Sequence, residues 1–230
     1  MTMARPQLLD VDLTGLPCGP RAALATKGYF AKQRNRRGRQ LGRVLATRYG
    51  EVVSDQVFAG TTGLATALRP LVEAAEQVLG LDAARRRRTI LRIDAGGGSI
   101  EDSNWALARG YQAHTKDYSR QRARKLGRSV RAWLDDPQIP GRQVGRVTAP
   151  ATDSVGAVRR IAVRGPRKEG QWEYAVVIST LTAGEVLTET GPPPERARDQ
   201  QAVTLADVRC YDARGGGVEP PSRTTSRGWG

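Results

Sequence analysis

The chain has 230 residues and carries 37 Lys plus Arg against 23 Asp plus Glu, a net charge of +14. That excess favours a polyanionic partner, most often nucleic acid, over an anionic membrane surface, because no basic amphipathic helix of lipid-binding type stands out. No apolar run approaches the ~20 residues of a membrane span, and Asp10 and Asp12 interrupt the short apolar start that a signal peptide would need. Cys18 and Cys210 are the only cysteines and fit no metal or disulfide spacing, which points to the reducing cytoplasm.

In chain order, Gln7 to Thr14 alternates like a buried strand, ended by Gly15, Pro17 and Gly19. The period of two puts Asp10 and Asp12 on one face. A solvent-facing edge would explain both, and a core-facing position needs a metal or a cation. Lys27 to Arg39 reads as a basic loop containing Tyr29 and Phe30. It is either a solvated turn or a phosphate-contacting loop with aromatic faces for bases. Leu41–Ala46 and Glu51–Phe58 form a hairpin around Tyr49-Gly50, and Leu64 to Leu79 sets its apolar residues on one helical face.

Arg85 to Tyr111 organises the rest. Four arginines lead into the alternating strand Thr89–Ile93, which runs into Asp94. Gly96-Gly97-Gly98-Ser99 then turns the chain into a helix of roughly Glu101 to Arg109. The glycines are no phosphate loop, since no Gly-Lys-Ser/Thr follows and Glu101 stands where a dinucleotide fingerprint has its third glycine. The feature to follow is the carboxylate at the strand end, the edge where open α/β sheets collect ligands. As a bare turn cap, Asp94 would have no such role. A crossover helix between the Asp12 and Asp94 strands makes them neighbours, within reach of a shared divalent ion such as Mg²⁺.

His114, the sole histidine, reads as a strand residue of Tyr111–Thr115 without a catalytic role. Ser119 to Trp133 reads as a one-signed basic helix. Past a Pro/Gly turn at 135–141, three strands follow at Arg142–Thr148, Ala157–Arg164 and Trp172–Thr180. Gly191 to Gln201, with three consecutive prolines, is linker-like, and Ala202 to Val208 starts a helix. The last eleven residues have a disordered composition.

Taken together, GYFAKQRNRRGRQLGRVLATRYGEVV, LRIDAGGGSIEDSNWALARGYQAHTKDYS and YDARGGGVE resemble the DDE transposases of bacterial insertion sequences, in the group with a β-rich insertion. The likeness runs from about Leu8 to Glu219. It implies an α/β fold: a ribonuclease H-like mixed sheet with flanking helices, interrupted by a β-strand-rich insertion. The implied organisation is a first core part over 1–134, the insertion over 135–181, a linker and the start of the returning core over 182–210, and a truncated segment over 211–230. Asp12 (or Asp10), Asp94 and Glu219 would be the catalytic acids and the ligands of Mg²⁺ or Mn²⁺. Glu219 follows Arg214 after four residues where the family has three. Lys32, Arg34, Arg36, Arg37, Arg39, Lys116, Arg120, Arg124, Lys125, Tyr211 and Arg214 would contact DNA, with a homo-oligomer in the transposition complex. The implied activity is metal-dependent strand cleavage and strand transfer at element ends, in a chain shortened at both ends. A catalytically dead DNA-binding remnant is the alternative.

Overall fold

The structure, a computed structural model, describes residues 6–30, 33–117, 119–150, 156–167 and 170–214. Strands β1 (Gln7–Pro17), β2 (Thr26–Phe30), β3 (Gln33–Ala46) and β4 (Glu51–Ala59) come first, followed by helices α1 (Leu64–Leu79) and α2 (Ala83–Arg86). Then come β5 (Thr89–Ile93), α3 (Ile100–Ala108), β6 (Gln112–Lys116) and α4 (Arg120–Arg128). The chain continues through β7 (Leu134–Asp135), β8 (Gln143–Arg146), β9 (Arg159–Pro166) and β10 (Trp172–Ser179) to α5 (Ala183–Thr190) and α6 (Gln200–Asp212).

Among the described residues these strands make one mixed sheet, ordered β2-β3-β1-β5-β6-β10-β9-β8-β7, with β4 on the other edge of β3. The β1–β5 and β5–β6 pairs are parallel and the rest antiparallel. The expected mixed sheet with flanking helices is therefore observed. Its centre is β5, buried at all five positions, because helices cover both of its faces. On one face α1 buries Leu64, Leu68, Leu71 and Val72 against Leu9, Val11, Leu91 and Ile93. On the other, α5 and α6 bring Val186, Leu187, Val203 and Ala206 onto Leu8 and Ile90.

Three expectations change. The basic loop of Lys27–Arg39 is instead β2 and the start of β3, a ladder that extends the hairpin beyond the core. Phe30 is no stacking surface: it is 1 % exposed, and its ring fills the space beside Gly15, Gly38 and Gly60. The linker-like stretch Gly191–Gln201 is instead a 3-10 turn at Pro194–Arg198 between α5 and α6, both packed on the sheet, and the helix expected from Ala202 is α6. The basic helix stops at Arg128 rather than Trp133. The three strands after residue 141 do form, and they continue the same sheet through the β10–β6 pairing.

Candidate functional site

The register of the parallel strands sets the site. Asp10 pairs across β1–β5 with Arg92, Arg92 pairs across β5–β6 with His114, and His114 pairs with Ser179 on β10. Paired residues share a face, so a buried polar row crosses the sheet beneath α6. Arg92 donates to both Asp10 oxygens, at 2.6 and 2.7 Å. This is the cation that a core-facing Asp10 needed, and it commits Asp10 to a structural ion pair.

Two residues on, the same face reaches the end of β5, while β1 runs on to Pro17 beside β3, past the expected end at Thr14. The last registered pair is Val11 with Ile93, so Asp12 and Asp94 are the next residues of the two strands. Both line an open cleft of about 570 Å³, together with Leu13, Gly15, Gly28, Gln40 and the 60–64 stretch. Burial in the cleft raises the pKa of Asp12 above the usual carboxylate value, the Leu13 N–H at 2.8 Å opposes this, and the charge of Asp94 adds to it. Asp12 nonetheless keeps solvent-accessible area.

Asp94 is held from α6. The Tyr211 hydroxyl donates to Asp94 Oδ1 at 2.7 Å, and Arg214 Nη2 lies 3.0 Å from the same oxygen. The Arg214 guanidinium sits 3.8 Å above the centre of the Tyr211 ring, so the two side chains reach Asp94 as a unit. Burial pushes the Tyr211 hydroxyl up, which keeps it a donor. Lys116, at the end of β6, belongs to the same row of residues. Burial lowers its pKa and the Asp94 charge partly restores it.

The glycine turn after Asp94 is forced by packing. A Cβ on Gly98 would stand 1.8 Å from the Lys116 carbonyl oxygen. Ser99 then caps α3 by accepting from the Asp102 N–H. The Asp94 carboxylate, its side chain 45 % exposed, faces Tyr211 and Arg214.

The remaining expected residues fall into separate groups. Arg36 and Arg37 are exposed on the outer part of β3, with Arg39 half-buried beside them, and Arg37 Nη1 donates to the Ala25 carbonyl at 3.2 Å. Arg120, Arg124 and Lys125 are exposed on α4. That helix buries Ala123 on Val176 and Ile178, whereas α6 packs on Val177, so α4 and α6 lie on opposite faces of β10. Lys32 and Glu219 lie outside the described residues, as does the side chain of Arg34. His114 is a buried strand residue whose Nε2 meets the Asp207 carbonyl at 2.9 Å; burial lowers its pKa to about 4 and keeps it neutral.

Sequence reasoning missed Arg92, Arg159 and Asp207. Arg159 donates to both oxygens of Asp207, a residue of α6 that is 0 % exposed. A signal existed: Arg92 interrupts an otherwise apolar central strand, as Asp10 does its neighbour, and opposite charges in two buried strands ask to be paired.

The donors present fit a divalent cation in one respect and leave it incomplete in another. Asp12 and Asp94 are carboxylates placed together where the β1–β5 pairing ends, and a cation would relieve their mutual repulsion. Among the described residues no group of three or more His, Cys, Asp or Glu forms a metal cluster. No described helix is long and apolar enough to cross a membrane.

Comparison with protein-family models finds no match, and neither does comparison with curated proteins. Among solved structures, the chain is similar to piggyBac transposase, from a cryo-EM structure of its synaptic complex with hairpin DNA. That similarity has a TM-score of 0.49 and 10 % sequence identity, over 94 % of this chain and 50 % of that one, so the chain spans about half of that protein's length.

Proposed function

We propose that the chain carries the core of a DDE-type transposase of a bacterial insertion sequence, with a ribonuclease H-like sheet that binds Mg²⁺ or Mn²⁺ and acts on DNA. The observation that carries this reading is that Asp12, inside β1, and Asp94, just past the end of β5, directly follow the last parallel pair of those strands, Val11 with Ile93, and that Tyr211 and Arg214 converge on Asp94. The strand order supports it: an antiparallel β4-β3-β1 group continues into parallel β5 and β6.

Bound divalent ions would supply activation of the attacking water or 3′-hydroxyl and stabilisation of the leaving oxygen. Asp12 and Asp94 would hold them, with Glu219 as the third acid by resemblance. The Tyr211 hydroxyl fixes the rotamer of the Asp94 carboxylate. Arg214 brings a positive charge to the same point, where it can pair with a phosphate as well as with Asp94. The exposed cations of α4 and outer β3 would hold the DNA backbone without reading sequence. A homo-oligomer would assemble on the two element ends.

The test is calorimetry with Mn²⁺ on the native chain and on Asp94→Asn, followed by Mg²⁺-dependent nicking of DNA bearing the element ends. We expect binding to be lost in Asp94→Asn and nicking to require both acids. Equal Mn²⁺ binding by the two proteins would make the acids structural. DNA binding with no nicking would support the second reading, a DNA-binding remnant. That reading draws on the absence of a third carboxylate beside Asp12 and Asp94 among the described residues and on the Arg214 contact to Asp94.

A further inference from the structure

The last turn of α6 is closed by a residue of the sheet. Helix C-termini leave carbonyls without intrahelical partners, and these usually turn to water or to a glycine-based cap. Here the Arg92 guanidinium, 2 % exposed, donates from Nη1 to the Cys210 carbonyl at 2.8 Å and from Nη2 to the Ala213 carbonyl at 3.2 Å. Its Nε and Nη2 are held at the same time by Asp10. One planar fork thus joins β1, β5 and the end of α6, and the positive charge sits at the negative end of the helix dipole. Tyr211 lies between the two capped carbonyls and Arg214 follows the second.

We propose that Arg92 is a positioning residue for the Asp94 site. Buried under α6 and oriented by Asp10, it fixes the final turn of the helix so that Tyr211 and Arg214 meet Asp94. The other ion pairs of α6 act differently. Arg159 grips the Asp207 side chain one and a half turns earlier, and Arg142 reaches the Asp212 side chain at 2.6 Å; neither caps the backbone of the last turn. Arg92 is also two residues before Asp94 on the same strand, so any slip of α6 along the strand moves Tyr211 and Arg214 off the carboxylate. The functional weight of this device rests on the reading of Asp94 as a metal ligand, but its geometry can be tested without metal.

The experiment is hydrogen exchange, read by mass spectrometry, on the full chain without metal. Arg92→Met alone would take the guanidinium away from a buried carboxylate, so the informative variant is Asp10→Asn/Arg92→Met, which removes the ion pair as a unit. Arg92→Lys keeps the charge and loses the fork. Leu68→Ala, in the core on the opposite face, serves as a destabilised control. We expect the double variant to keep protection in 89–93 and 112–116 while amides of 209–214 exchange at least about tenfold faster. In Arg92→Lys the same amides lose protection while the melting temperature falls less. The proposal is overturned if 209–214 stays as protected as in the native chain in a folded double variant. It is equally overturned if Leu68→Ala loosens 209–214 as much. Absence of Mn²⁺ binding by the native chain would instead defeat the functional reading and leave the exchange result untouched.

Discussion

Asp12 and His114 show how burial sets the charge of single residues, and the two respond to pH in opposite directions. The folded-state pKa of Asp12 is raised, by burial first and by Asp94 second. The folded chain therefore holds a proton more tightly than the unfolded one, and stability is lost as pH rises through that window. Asp12→Asn should melt higher than the native chain at pH 7 in EDTA. The gain should be no more than about 2–4 °C, because the carboxylate keeps solvent contact that screens it. Added Mn²⁺ should reverse the order, and a lower melting point for Asp12→Asn in EDTA would remove the repulsion argument. His114 runs the other way: burial depresses its pKa to about 4, so the unfolded chain binds the extra proton and stability falls as pH drops below the ordinary 6.5. Between pH 7 and pH 5 this single group should cost about 2 kcal/mol. His114→Gln keeps a donor for the Asp207 carbonyl and should lack that component in urea unfolding at the two pH values. An unchanged pH dependence in the variant would mean that the imidazole is not the group responsible.

The turn between β5 and α3 is where an element places the site, and one glycine controls it. Gly98→Ala would drive a methyl group into the Lys116 carbonyl oxygen, backbone that cannot move without shifting β6. We expect it to cost about 1–3 kcal/mol and to weaken Mn²⁺ binding, because Asp94 lies at the start of the same turn. Gly19→Ala, where a Cβ meets nothing within 4 Å, is the matched control and should be silent. Calorimetry and urea unfolding of both variants check this; a silent Gly98→Ala would mean that the turn relaxes freely. What the sequence revealed follows the same physics. Helix α1, the β3–β4 hairpin and the neighbouring acid strands were legible because apolar periodicity writes them directly into the residues. The docking of α6 was not, because half of its grip is polar: Asp207 and the Cys210 and Ala213 carbonyls meet arginines from strands remote in sequence. Nor were β2 and the start of β3, since Arg36, Arg37 and Arg39 give no apolar alternation. Ladder hydrogen bonds and the buried ring of Phe30 hold that extension.

Across the whole molecule, the net charge of +14 is unevenly placed, and the fold decides which cations are free to meet a polyanion. The four-arginine run at 85–88 is the densest in the sequence, yet it precedes β5 whereas Asp94 follows it. Five strand residues at about 3.3 Å each put the run roughly 17 Å away, at the opposite edge of the sheet. Arg85 and Arg86 are also engaged. Arg85 Nη1 donates to the Leu79 and Gly80 carbonyls at the end of α1, and Arg86 donates to the carbonyls of Arg109 and Leu81. By contrast, α4 begins just past the acid-bearing edge, four residues after Lys116, and keeps Arg120, Arg124 and Lys125 exposed. If DNA is held electrostatically, affinity should fall with salt at a log–log slope of about −0.9 per neutralised phosphate. Replacing Arg120, Arg124 and Lys125 together by Gln should flatten that slope by about 2–3. Each loses one phosphate contact, and exposed charges carry little folding energy. Replacing Arg85 and Arg86 by Gln should leave the slope unchanged and lower the melting temperature instead, because helix-end carbonyls lose their donors. Fluorescence anisotropy with a short duplex between 50 and 200 mM salt, alongside thermal melts, separates the two effects. A slope that tracks the Arg85/Arg86 variant and ignores the α4 variant would place the DNA on the far edge of the sheet, away from Asp12 and Asp94.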